Sequence, residues 1–246
     1  MIGSDWHHPT VIASLGWGAL AAGSLVVGAV LALLRTWPDR VVGLVLGFGA
    51  GALIASVSFE LAEEGLQIGS AYAVAAGLAL GGLTFFGADR LVERWGGRSG
   101  GSSAGAPLAV GAFLDGIPEQ LVLGLGIASG GGVSAALVVA IFASNLPEAI
   151  GSAADMRSAG RSRRSVIGLW TGVAVLCAAA TVVGAAVAGA VSDEAQALVD
   201  GFAAGALLTM LIYSMVPEAK EKARDWAGLT TVAGFALAAG LSLLGG

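Results

Sequence analysis

Gly47-Phe48-Gly49-Ala50-Gly51-Ala52-Leu53 lies inside the apolar run 41–62, and Gly201-Phe202-Ala203-Ala204-Gly205-Ala206-Leu207 lies inside the run 197–218. The first run ends near Glu64 and the second at Glu218, at the same offset from the two signatures. Small residues at these spacings suit helices that pack backbone to backbone in lipid, where no hydrophobic force draws helices together. Six more apolar runs are long enough to span a bilayer: 11–34, 70–91, 106–128, 132–156, 166–190 and 226–244. The expected fold is all-α, a polytopic membrane protein with eight transmembrane helices in one domain over 1–246. The composition agrees: 56% of residues are hydrophobic and 12% charged, with mean hydropathy +0.85, outside the range of soluble domains.

The charges order these runs. All twelve Lys and Arg residues fall in four connections: Arg35 and Arg40; Arg90, Arg94 and Arg98; Arg157, Arg161, Arg163 and Arg164; Lys220, Lys222 and Arg224. These are the first, third, fifth and seventh. The even connections carry none, and the sixth holds Asp193, Glu194 and Asp200 instead. By the positive-inside rule the odd connections are cytoplasmic and both termini lie outside. The stretch 96–105, rich in Gly and Ser, reads as a flexible cytoplasmic linker. No basic region precedes the first run, so no cleaved signal peptide is expected. The single cysteine, Cys177, excludes an intrachain disulfide framework. The short basic loops suit topology or anionic lipid and give no support for a nucleic-acid partner. With alternating topology, the runs 41–62 and 197–218 cross in opposite directions. They form an inverted repeat, as in secondary transporters, whose sites lie near the midplane.

Three cassettes join an apolar residue, a proline and a glutamate: Ile117-Pro118-Glu119, Leu146-Pro147-Glu148 and Val216-Pro217-Glu218. A carboxylate near the bilayer centre costs on the order of 3 kcal/mol. The first two cassettes sit mid-run. Asp115 and Glu119 share a helical face, as do Ser144 and Glu148. Pro118 and Pro147 free the carbonyls of Leu114 and Ala143, which become further oxygen donors if they face inward. The candidate metal site is therefore Asp115, Glu119, Asn145 and Glu148, with Ser144. No Lys or Arg lies within any mid-run to neutralise it, so the counter-charge is a proton or a bound cation. Hard oxygen donors suit a divalent ion. The bland alternative is protonated acids hydrogen-bonded between helices, which would not require broken helices. Glu60, Glu63 and Glu64 read either as cation-gathering residues or as a solvated helix end, and Glu218 either as an exit residue or a solvated one. Cys177 reads as packing.

With eight spans, a linker after the third and Pro-Glu in the fourth and fifth, the whole chain resembles the ZIP family of divalent-metal transporters. Its motifs, His-Asn-x-Pro-Glu-Gly and a similar one in the next span, correspond here to Asp115-Gly116-Ile117-Pro118-Glu119-Gln120 and Ser144-Asn145-Leu146-Pro147-Glu148-Ala149. Both Pro-Glu pairs match and Asn145 is retained, while the histidine positions hold Asp115 and Ser144. An acid expected in the sixth span is missing from Trp170-Thr171-Gly172-Val173-Ala174-Val175, so one metal site is expected rather than two. The resemblance implies a secondary transporter moving zinc, iron(II), manganese or a similar cation towards the cytoplasm. The cation is cargo, with no prosthetic group. It also implies a homodimer in the cell membrane, and no enzymatic activity. Access would alternate by movement of span one and its symmetry mate against the site-bearing pair. Without the histidines, an all-oxygen site favours manganese, iron(II) or magnesium, and zinc is the family's commonest cargo. The alternative function is a ZIP scaffold without ordinary metal transport, acting as sensor, partner or carrier of another solute.

Overall fold

A computed structural model describes residues 8–96, 105–128, 135–188 and 192–245; within these, side chains are not described for 8–10, 92–93, 95–96, 105–115, 135–136, 155 and 244–245. The described residues are helical, with no strand. In chain order the elements are α1 (His8–Leu34), α2 (Asp39–Ser56), a first π segment (Val57–Ala62), α3 (Glu63–Ile68), α4 (Ala71–Gly96), α5 (Gly105–Ala128), α6 (Ala135–Ser158), α7 (Arg163–Ala188), α8 (Asp193–Met210), a second π segment (Leu211–Met215), α9 (Val216–Ala223) and α10 (Trp226–Gly245).

Seven stretches among the described residues are long and apolar enough to cross a membrane. The eighth, on α5, is apolar over its described half, Gly116–Ala128. Most of the expected linker 96–105 lies outside the described residues. Large apolar side chains such as Leu83, Val175, Ile212 and Val232 are more than half exposed, a surface suited to lipid rather than water. Arg35 lies over Trp37, Arg40 over Trp226 and Arg90 over Phe86. These cation–π contacts sit at the helix ends that carry the basic residues.

Two crossings exceed the expected runs. They extend over Asp39–Ile68 and Asp193–Ala223, against 41–62 and 197–218. The π segments account for the continuation. A wide turn absorbs a break in the i→i−4 ladder without ending the helix. Pro217 falls in the first turn of α9, just beyond the second π segment, where a missing N–H is least harmful.

The repeat extends well beyond its seven-residue signature. Gly47 and Gly201 are 154 residues apart, and the same offset carries the start of α2 onto the start of α8 and the start of one π segment onto that of the other. Each half then packs against the far partner: α2 against α10, and α8 against α4. A Cβ on Gly51 would stand 1.8 Å from the Thr231 carbonyl oxygen, and one on Gly205 would stand 2.1 Å from that of Leu78. Backbone touches backbone at both places, so only glycine fits.

The remaining long helices form a second group, in which α1 packs on α6 and α7, and α5 on α7. Span one and its mate α7 are therefore packed directly on the site-bearing helices, the pair they are expected to move against. The cause is close apposition. Gly28 of α1 meets the Leu146 carbonyl, and Gly124 of α5 meets Thr181 of α7. A core of Leu25, Met156, Trp170 and Cys177 fills the interior of this group. The principal bridge between the groups is α2 on α6.

Candidate metal-binding site

Pro118 and Pro147 stand inside α5 and α6 without ending either helix. Each removes one backbone hydrogen bond and would cost about 3 kcal/mol in an ordinary helix. Glu119, one residue on, is only 1% exposed. Its Oε1 lies 3.2 Å from Ser144 Oγ, whose single proton is shared between this carboxylate and the Ile141 carbonyl at 3.0 Å. Its Oε2 is buried with no hydrogen-bond partner. Glu148 is half-buried and close enough for the two carboxylates to interact electrostatically. Asn145 is buried, and its Nδ2 is also unpartnered. The two cassettes thus bring Ser144 onto Glu119 and Glu148 within its electrostatic reach, with Asn145 buried next to Ser144 in sequence. The side chain of Asp115 lies outside the described residues. Among the described residues, no three His, Cys, Asp and Glu side chains converge closely enough to hold a metal ion.

One donor expected from the sequence points elsewhere. The Ala143 carbonyl, freed by Pro147, lies 2.8 Å from where a Cβ on Gly49 would stand, with the Met215 side chain beside it. It packs into the α2–α6 contact, and the missing Cβ of Gly49 is what admits it.

Another group is nearer than its reading as packing implied. Cys177 is buried on α7, with Sγ 2.7 Å from where a Cβ on Gly116 would stand. It lies within electrostatic reach of both Glu119 and Glu148. The stretch 170–175, where an acid was expected, ends two residues short of it. The signal available was position: a lone cysteine midway along the sixth run. Next to Glu119, Gln120 is fully buried, and its Oε1 accepts a 2.5 Å hydrogen bond from Thr181 Oγ1. This bond ties α5 to α7 one residue from the carboxylate.

The third cassette is set apart. Glu218 forms a 2.6 Å ion pair with Lys222, and both charged groups lie just under 4 Å from where a Cβ on Gly151 would stand. Gly151 is one turn along α6 from Glu148.

A helical protein with seven described stretches apolar enough to cross a membrane, an internal repeat and a buried, partly unsatisfied carboxylate is the class that fold and site define. No protein-family model matches the chain. Over 226 residues, 88% of its length, it is 26% identical to an Arabidopsis thaliana protein named "Putative zinc transporter", and it covers 36% of that relative's length.

Proposed function

We propose that this chain is a ZIP-like secondary transporter that carries a divalent metal cation towards the cytoplasm, held midway by Glu119 and Glu148. The observation that carries this reading is the state of Glu119. A carboxylate buried in a helix pair, with one oxygen unsatisfied, a second carboxylate beside it and no cationic side chain in any mid-span, calls for a positive guest. The name of the Arabidopsis relative points to the same class of cargo.

In this reading Ser144 orients Glu119, Asn145 offers its amide oxygen, and Asp115 contributes from one turn earlier on α5. Water completes the shell, since hard divalent ions keep part of their hydration. Cys177 borders the pair and adds a soft donor, which suits zinc or cadmium better than manganese. Movement would occur between the two helix groups, across the α2–α6 contact. The eight-span topology with both termini outside, the cell-membrane location and a homodimer belong to the same proposal.

Uptake of zinc, manganese, iron(II) and cadmium into vesicles tests it. The double change Glu119→Ala with Glu148→Ala is expected to lower transport at least a hundredfold. Transport absent for every ion in the wild type, or unchanged in the double variant, sinks the reading.

A further inference from the structure

Among the described residues two carboxylates are buried, Glu119 and Asp200. The proposed transport site uses the first and leaves the second unexplained. Asp200 lies on α8, is 4% exposed, and its Oδ2 has no hydrogen-bond partner. Its Cβ stands 3.6 Å from where a Cβ on Gly65 would be, so it presses on the α3 backbone one residue past Glu64. Asp200 and Glu64 lie within electrostatic reach of each other, and Glu60 reaches Glu64 in the same way. Glu60 and Glu64 are half-buried. The stretches 59–75 and 189–202 contain no Lys or Arg, so no basic side chain from the neighbouring chain answers these charges. Glu194 is separately occupied, accepting a 2.9 Å hydrogen bond from Ser70, and exposed Glu63 accepts one from Gln67.

The repeat supplies an internal control. At the other end of the molecule, the offset that pairs Gly47 with Gly201 puts Leu46 at the position of Asp200 and Ala219 at that of Gly65. Both are buried, at 1% and 2% exposure. Even the surrounding contacts correspond. Gly69 meets Ala197 at one end, and Gly43 meets Ala223 at the other. Packing at this position is therefore satisfied by a leucine, and a carboxylate there departs from what the fold requires. A buried acid facing further acids is stable only with a positive charge among them.

We infer that the α3–α8 junction is a second cation site, in which Asp200 and Glu64, with Glu60 at its edge, hold a partly hydrated divalent cation. Two carboxylates and retained water form an ordinary shell for a small hard divalent ion. The site is distinct from the Glu119–Glu148 pair, and it stands whether or not ions pass that pair.

Mn²⁺ is the probe. The purified full-length protein in detergent is titrated, and free Mn²⁺ is followed by its electron paramagnetic resonance signal. In a Glu119→Gln/Glu148→Gln background, one Mn²⁺ per chain is expected to remain bound. Adding Asp200→Asn, which keeps the side-chain shape, or Glu64→Gln, at a half-buried position, is expected to weaken that binding at least tenfold. Glu63→Gln is expected to leave it unchanged. A background variant that binds no Mn²⁺ would mean a proton alone neutralises the junction, and overturns the inference. Binding that survives both Asp200→Asn and Glu64→Gln, or that falls equally with Glu63→Gln, overturns it as well. Because this measurement needs no transport, a failed uptake assay leaves it intact.

Discussion

The two ends of the repeat differ in charge while sharing a frame. Where α3 meets α8, Glu64 faces a second acid, Asp200. Where α9 meets α2, the corresponding Glu218 holds Lys222 at 2.6 Å, and the position of Asp200 is taken by Leu46. One end is self-neutralised and apolar behind its ion pair; the other is anionic and short of a partner. The lesson is that backbone packing and electrostatics are separable here. Small residues meeting across helices build the same junction twice, and a few side chains give each copy its own character.

The shared frame can be broken first. Gly51→Ala and Gly205→Ala each drive a methyl group into a carbonyl oxygen that cannot yield. Each is expected to lower stability by about 3 kcal/mol, seen as a fall in melting temperature by tryptophan fluorescence. A large loss at one position and none at the other would mean that the two halves are not packed alike. Next comes the anionic end. Asp200→Leu copies the other half and removes an uncompensated buried charge, so in chelator it should raise stability by about 2 kcal/mol. A loss instead would show that the carboxylate contributes to packing. The smallest effect is expected at the paired end. The Lys222–Glu218 pair is partly exposed and spaced i, i+4, so Lys222→Met should cost under about 0.5 kcal/mol. Its clearer signature is access. With Gly151→Cys in a Cys177→Ala background, thiol labelling should speed up severalfold once Lys222 is replaced. An unchanged rate would remove the pair from any role in covering α6.

The apolar runs, the repeat and the two mid-run Pro-Glu cassettes were readable from the sequence, because period, composition and spacing carry them directly. Ser144 does reach Glu119, and Glu148 lies within its electrostatic reach. What escaped depends on contacts between distant segments. Cys177 has no motif of its own, and only the apposition of α5 and α7 at Gly116 makes it a neighbour of the carboxylates. Asp200 reads as one more acid near the sixth connection until α8 buries it against Gly65. Where the Ala143 carbonyl would lie was left open by the sequence, because a proline frees an oxygen without choosing its direction; it lies against Gly49. The π segments were equally invisible, since one residue of extra turn leaves no mark on the composition or spacing of a run.

Those two wide turns have a mechanical consequence. A π segment holds one residue more than the regular helix needs over the same rise. If either tightened into ordinary helix, all of the chain beyond it would swivel by about 100° relative to the part before. Beyond the first lies Glu64, and beyond the second lie Glu218 and Lys222. Each half of the molecule therefore carries a wide turn immediately before its terminal acid, and tightening it would have to break the close glycine contacts just beyond, Gly65 and Gly69 against α8 in one half and Gly43 against α9 in the other.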